Sequence, residues 1–399
     1  MHFDELVLYP SDLSVNERLR EVVRICVDRL ISCGRLNPFA IILTGSFARG
    51  EGTVIRDYER LTVLSDMEFL IVVDDPRRLP EQSREADSIV REIGKKLSAS
   101  SINCKVEFTL ALPRYFIAAR PSIFAYELKK HGKTVYGDDK YLKGMPDFAI
   151  ADIPRSDAFY LICNRIIEQL ITYERISSSG ALISDAGVMY SFVKMYTDIL
   201  TSILIFCGKY EPTYAGRLEN MKEIKLSSFI NGENAEQLNE TIVYWSSKKL
   251  NPSADLLLPV SGNEALRIWK QLSSMVYIVW LWELGILIDV KGKQMKYLAR
   301  NFMMQGHIKY KSMQWIRLLY RAIRMKNFYD IIHARFWNGI PRHMLYMEAS
   351  RVYFELANID YCRDRRDNDY LPIRKHGINT QKDKIREILR IWTIYFRNA

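Results

Sequence analysis

Residues Thr44-Gly45-Ser46-Phe47-Ala48-Arg49-Gly50-Glu51-Gly52, followed by Ser65-Asp66-Met67-Glu68-Phe69-Leu70-Ile71-Val72-Val73, decide how this chain is read. Phe39 to Leu43 is apolar throughout and reads as a short buried strand. Gly45 and Gly50 then permit a sharp bend, with backbone angles that other residues resist. Successive N–H groups in such a bend form a concavity suited to an anion. Ser46 adds a hydroxyl donor, and Arg49 adds a charge that can hold phosphate oxygens bidentately. In the second stretch Asp66 and Glu68 are two residues apart, and side chains alternate along a strand, so both share one face. Carboxylates side by side repel unless a cation sits between them. An anion-binding turn next to paired acids points to Mg²⁺-nucleotide chemistry.

A third acid is expected on a neighbouring strand. From Asn103 to Leu112, Val106, Phe108 and Leu110 fall on one face, and Lys105, Glu107 and Thr109 on the other. Glu107 lies beside Asp66 and Glu68 if the two strands pair. Between the turn and the acid pair, Val54-Ile55 and Leu61 to Leu64 flank Arg56 to Arg60, which predicts an inserted hairpin.

Taken together, GSFARGEG, SDMEF and VEF resemble the signature of the polymerase β-like nucleotidyltransferase superfamily. His131 to Asp138 is similar to the Gly-x-x-x-Tyr-Gly run that closes that domain in small-substrate members such as aminoglycoside nucleotidyltransferases. The resemblance covers about residues 37–138. It implies that Gly45, Ser46 and Arg49 hold the triphosphate of an NTP. It also implies that Asp66, Glu68 and Glu107 are catalytic and bind two Mg²⁺ (or Mn²⁺) ions, with Glu107 as third ligand or general base. The implied reaction moves a nucleoside monophosphate onto a hydroxyl of an acceptor, a small molecule or a protein, and releases pyrophosphate. The helical half is implied to bind that acceptor. The connection between turn and acid pair is longer than the family's usual one, so base preference does not carry over.

The surrounding pattern predicts an α+β chain. Ser14 and Glu17 have capping-box spacing, and Leu19, Val22, Val23, Cys26 and Leu30 follow at helical spacing. Pro80 to Leu97 and Pro121 to Lys130 are predicted helices on either side of the Glu107 strand. This gives a nucleotidyltransferase fold, a small mixed sheet with packed helices, over residues 1–150. Pro146 to Pro154 reads as a linker, and 151–399 as a mainly helical domain. Neither GxGxxG nor GxxxxGK[ST] occurs, which removes the main support for a Rossmann or P-loop reading.

The chain has 399 residues, enough for two or three domains, and is 48% hydrophobic and 26% charged, which is ordinary globular composition. Its six cysteines form no CxxC pair and read as small buried residues in a reducing compartment. Met275 to Ile288 falls short of the roughly 20 apolar residues of a membrane span and carries Glu283, so it reads as a buried helix. The N-terminus lacks a basic-then-apolar leader pattern, and a cytoplasmic location is expected.

The net charge of +10 is uneven. From Lys291 onward there are 23 Lys and Arg against 9 Asp and Glu, and before it 34 against 38. Lys311 to Trp337 reads as a helix with Arg317, Arg321 and Arg324 on one face and Ile316, Leu319, Tyr320 and Ile323 packed inward. Such a stripe suits nucleic acid, an anionic membrane, an acidic partner or a phosphorylated substrate, and equally a plain solvated face. Two other readings therefore stand beside the first: a nucleic-acid-directed terminal nucleotidyltransferase, and a non-catalytic nucleotide-binding or partner protein on the same fold.

Overall fold

The structure is a computed structural model that describes residues 3–57, 60–228, 235–289, 295–305, 308–324, 339–359 and 380–395. It is mixed α+β, with a sheet in the N-terminal half and helices after it. The chain divides into two units. The first comprises Met1–Asp157, Cys207–Ile224 and Val243–Leu257, and the second Ala158–Phe206, Lys225–Ile242 and Leu258–Ala399. The first unit thus takes in two later segments that the expected boundary near residue 150 did not include.

In the first unit, the five strands are β1 (Ala40–Thr44), β2 (Val54–Asp57), β3 (Arg60–Val72), β4 (Ile102–Ala111) and β5 (Lys133–Gly137). Its helices are α1 (Leu13–Ser32), the one-turn α2 (Gly45–Ala48), α3 (Leu79–Ala99), α4 (Pro113–Ile117), α5 (Ile123–His131) and α6 (Lys140–Lys143). The long β3 is the organiser. One of its edges pairs antiparallel first with β2 and then with β1, and the other pairs parallel with β4. β5 closes against β1, also antiparallel. The inserted hairpin is therefore β2 with the first part of β3, and one continuous strand runs from it to the acid pair. Tyr58 and Glu59 at its tip lie outside the described residues.

Both faces of this sheet are covered, which is why β1 reads as an unbroken apolar run. Ile41, Leu43, Phe69 and Ile71 pack with Leu19, Val22, Cys26 and Leu30 of α1 and with Ile89 and Ile93 of α3. Ala40, Ile42, Leu70 and Val72 pack on the other side with Phe116, Ala125 and Leu128. Each such fully buried aliphatic or aromatic side chain contributes about 1.5–3 kcal/mol. Two helix starts differ from expectation. α1 is capped by Asp12, whose Oδ1 accepts from the Val15 N–H at 3.1 Å, so the Ser14–Glu17 pair falls inside the helix. α5 is capped by the Ser122 hydroxyl, which accepts from the Ala125 N–H at 3.0 Å, rather than opening on Pro121.

The remaining helices, in chain order, are α7 (Arg155–Ser178), α8 (Ala186–Phe206), α9 (Tyr214–Lys222), α10 (Ala235–Ser247), α11 (Gly262–Ile288), α12 (Met295–Met304), α13 (Ile308–Arg324), α14 (Pro341–Leu356) and α15 (Gln381–Tyr395). Of these, α9 belongs to the first unit. By length and composition, α8 and α11 would each suffice to cross a membrane; 83% of the α8 stretch is buried inside the protein, against 39% for α11. The buried side of α11 carries Trp269, Leu272, Val276, Trp280 and Glu283, while Ile278 and Ile286 are exposed. Cys26, Cys33, Cys104, Cys163 and Cys207 are free thiols, and Cys362 lies outside the described residues.

Glu283 is fully buried, and its carboxyl oxygens make no hydrogen bond of ordinary geometry among the described residues. Burial pushes its pKa up to about 8, a rise that nearby Ser202 eases only in part. The folded state thus holds a proton that the unfolded chain releases near its ordinary value of 4.5. Stability is expected to fall as pH rises between those two values. Glu283→Gln should be more stable than the wild type by roughly 1–3 kcal/mol at about pH 9, with the gap closing toward about pH 5, as read by chemical denaturation at each pH.

The helix expected over Lys311 to Trp337 is seen as α13; residues 325–338 lie outside the described residues, as does the mixed-charge stretch Arg363 to Asp369. Arg317 of the expected basic stripe is exposed, but the apolar positions depart from expectation. Ile316, Leu319, Tyr320 and Ile323 are exposed, whereas Gln314 and Leu318 are buried. Arg321 is half-buried and its Nη1 donates to the Tyr395 carbonyl at 2.6 Å. Positions 314, 318 and 321 form the seam toward α14 and α15, and that seam, rather than the most apolar stripe, sets the helix rotation.

Candidate active site

The acid cluster is built by strand register. Glu68 on β3 stands opposite Glu107 on β4, and Val63 stands opposite Cys104. Between Val63 and Met67 the register slips, so that Leu64, Ser65 and Asp66 on β3 match Lys105 alone on β4. A bulge of this kind bends the strand and re-aims its side chains. Asp66, Glu68 and Glu107 each offer a carboxylate oxygen, and these oxygens lie within 4.8 Å of one another, half-buried. All three acids singled out in the sequence are brought together.

The glycine turn abuts this cluster. Thr44, the last residue of β1, is the register partner of Glu68, so the chain enters the bend directly beside that carboxylate. Gly45 has φ +69°, and a Cβ there would lie 2.6 Å from Glu68 Oε2. The left-handed backbone angle favours glycine here, and a Cβ would also push the Glu68 carboxylate aside. Ser46 follows in the one-turn α2 and is buried.

Arg49 is set differently from the phosphate-binding role expected of it. Its guanidinium is 2% exposed, with Nη1 2.5 Å from Glu127 Oε2 and Nε 3.2 Å from Glu51 Oε2. It also lies over the Tyr214 ring, 4.7 Å from the centroid. Glu127, on α5, accepts as well from Arg217 Nη2 and from the Tyr210 hydroxyl at 2.6 Å. Burial alone would raise the Glu127 pKa, but Arg49 and Arg217 outweigh it and hold it below the usual carboxylate range. Glu51 accepts from the N–H groups of Tyr214 at 2.8 Å and Ala215 at 3.0 Å, at the start of α9. The Arg49 charge is therefore engaged inside the unit, where it ties the turn to α5 and α9. This setting gives Arg49 a structural role in positioning the turn.

Two lysines were not singled out from the sequence as site residues. Lys105 Nζ is 3.0 Å from Asp66 Oδ1 and also contacts Glu107 Oε1. Burial works against its charge, yet the two carboxylates outweigh that and raise its pKa above the usual lysine value. Lys249 is buried, and its Nζ donates to Ser65 Oγ at 2.7 Å. Ser65 Oγ also accepts from the Thr53 N–H at 2.8 Å, and Thr53 Oγ1 donates to the Lys249 carbonyl at 2.8 Å. This closed set of bonds braces the bulge next to Asp66. Lys105 had a local signal, its period-2 phase with Glu107; Lys249 is separated from Ser65 by 184 residues and had none.

The donor set is oxygen-only, with no imidazole or thiolate among the three ligands, and half-exposed. That chemistry fits a hard divalent cation such as Mg²⁺ or Mn²⁺. The neighbouring Cys104 thiol is pushed up to about 12 by burial and by Asp66, so it offers no thiolate near neutral pH. Comparison with protein families and with curated proteins finds no match to this chain.

Proposed function

We propose that the first unit is a metal-dependent nucleotidyltransferase that joins a nucleoside monophosphate from an NTP to an acceptor hydroxyl. The observation that carries this reading is the convergence of the Asp66, Glu68 and Glu107 oxygens within 4.8 Å, beside a turn whose Gly45 takes a left-handed φ of +69°. The resemblance of GSFARGEG, SDMEF and VEF to the polymerase β-like superfamily supports it.

Asp66, Glu68 and Glu107 would hold the divalent cation. When bound, such an ion neutralises charge on the triphosphate and stabilises the leaving oxygen. The Ser46 hydroxyl and the turn N–H groups hold phosphate oxygens. The acceptor oxygen forms a bond to the α-phosphorus as the bond from that phosphorus to the bridging oxygen breaks, and pyrophosphate leaves. Glu107 either completes the ligand set or takes the acceptor's proton. The Arg49–Glu127–Arg217 network ties the turn to α5 and α9, which matters because phosphoryl transfer depends chiefly on positioning and charge neutralisation.

The test is incubation with each α-labelled NTP, Mg²⁺ or Mn²⁺ and a cell extract, with products separated by size and nuclease sensitivity. A nuclease-resistant labelled product supports transfer to a small molecule or protein. A nuclease-sensitive product moves the acceptor to nucleic acid. No labelled product with any NTP, by protein shown to be folded, overturns the reading.

A further inference from the structure

We infer that Lys105 serves as a resident cation of the acid cluster, so that the site takes one divalent ion and not two. This rests on the reading of Asp66, Glu68 and Glu107 as metal ligands. Lys105 sits two residues before Glu107 on β4, on the same face, and is the one β4 residue opposite the bulged Leu64–Asp66 segment. Its stem therefore rises from the sheet into the cluster and not from a loop. Nζ bridges Asp66 Oδ1, at 3.0 Å, and Glu107 Oε1. A divalent ion shared between Asp66 and Glu107 would have to displace it. A free ion competes there with an ammonium already tethered at high effective concentration.

Charge gives the same answer. Three carboxylates are balanced by one ammonium and one divalent ion, whereas a second divalent ion beside Lys105 would meet a like charge at contact distance. Lys105 engages one oxygen each of Asp66 and Glu107, so the metal would be held by Glu68 together with the second carboxylate oxygens of Asp66 and Glu107. The side chain is 59% exposed, so its removal opens the cluster without emptying a packed core.

The experiment is Mn²⁺ titration of the nucleotide-free protein followed by loss of the free-ion electron paramagnetic resonance signal. Wild type, Lys105→Met, Lys105→Gln and Asp66→Asn are compared. One Mn²⁺ per chain is expected for wild type and two for both Lys105 variants, with the first ion bound about tenfold or more tighter than in wild type. Asp66→Asn should lose binding. If the Lys105 variants match wild type in number and affinity, the inference is overturned while the metal site stands. If neither wild type nor the Lys105 variants bind Mn²⁺, the metal-site reading falls and takes the inference with it.

Discussion

Asp66→Asn or Glu68→Gln is expected to abolish Mg²⁺-dependent nucleotide turnover while the protein remains folded. Removing one ligand from a catalytic cation forfeits about 4 kcal/mol of transition-state stabilisation, a factor of about 10³ in rate. Both acids are half-buried, and neither is a member of the packed layers formed by Ile41, Leu43, Phe69 and Ile71 or by Ile42 and Leu70. Stability should therefore hold or rise, because neutralising one acid relieves repulsion within the cluster. Pyrophosphate release, measured with circular dichroism on the same samples, checks both halves. Turnover at the wild-type rate by protein carrying both Asp66→Asn and Glu68→Gln would show that the acids are not catalytic.

Glu127→Ala is expected to cost about 3–5 kcal/mol of stability, the range for removing one partner of a buried ion pair. The Arg49 and Arg217 guanidiniums are each 2% exposed and both bond to this carboxylate, so its loss leaves two buried cations facing one another. The Tyr210 hydroxyl loses its acceptor as well. Because the Glu127 pKa is lowered on folding, its contribution is present above the ordinary value of 4.5 and is lost as pH falls through the lower folded value. Urea denaturation at neutral pH should show the full deficit, and the variant's acid limb should be shallower than that of wild type. Equal midpoints would mean that the network does not hold the turn.

What could be read from the chain followed the range of each interaction. The alternation on either side of Glu107 and the i, i+2 spacing of Asp66 and Glu68 are local, and local pattern was enough to bring three acids together. The turn at Gly45 was legible for the same reason, since its geometry is set within one bend. Arg49 was not. Its side chain looked free for phosphate, but Glu127 and Arg217 come from 78 and 168 residues further along the chain. Nothing near Arg49 announces them. The bulge that aims Asp66 depends on pairing with Lys105, and its brace depends on Lys249; both are tertiary facts. The rotation of α13 failed for a related reason. Apolar periodicity marks the greasiest side of a helix, whereas packing through Gln314, Leu318 and Arg321 chose a different one.

Crystals grown with Mn²⁺ and a non-hydrolysable nucleoside triphosphate analogue, with anomalous scattering to locate the metal, decide whether this cluster is a catalytic metal site. The predicted result is a manganese peak within about 2.6 Å of the Asp66 and Glu68 carboxylate oxygens, with the triphosphate against the turn at Ser46. Manganese bound elsewhere, or a triphosphate seated away from that turn, would contradict it.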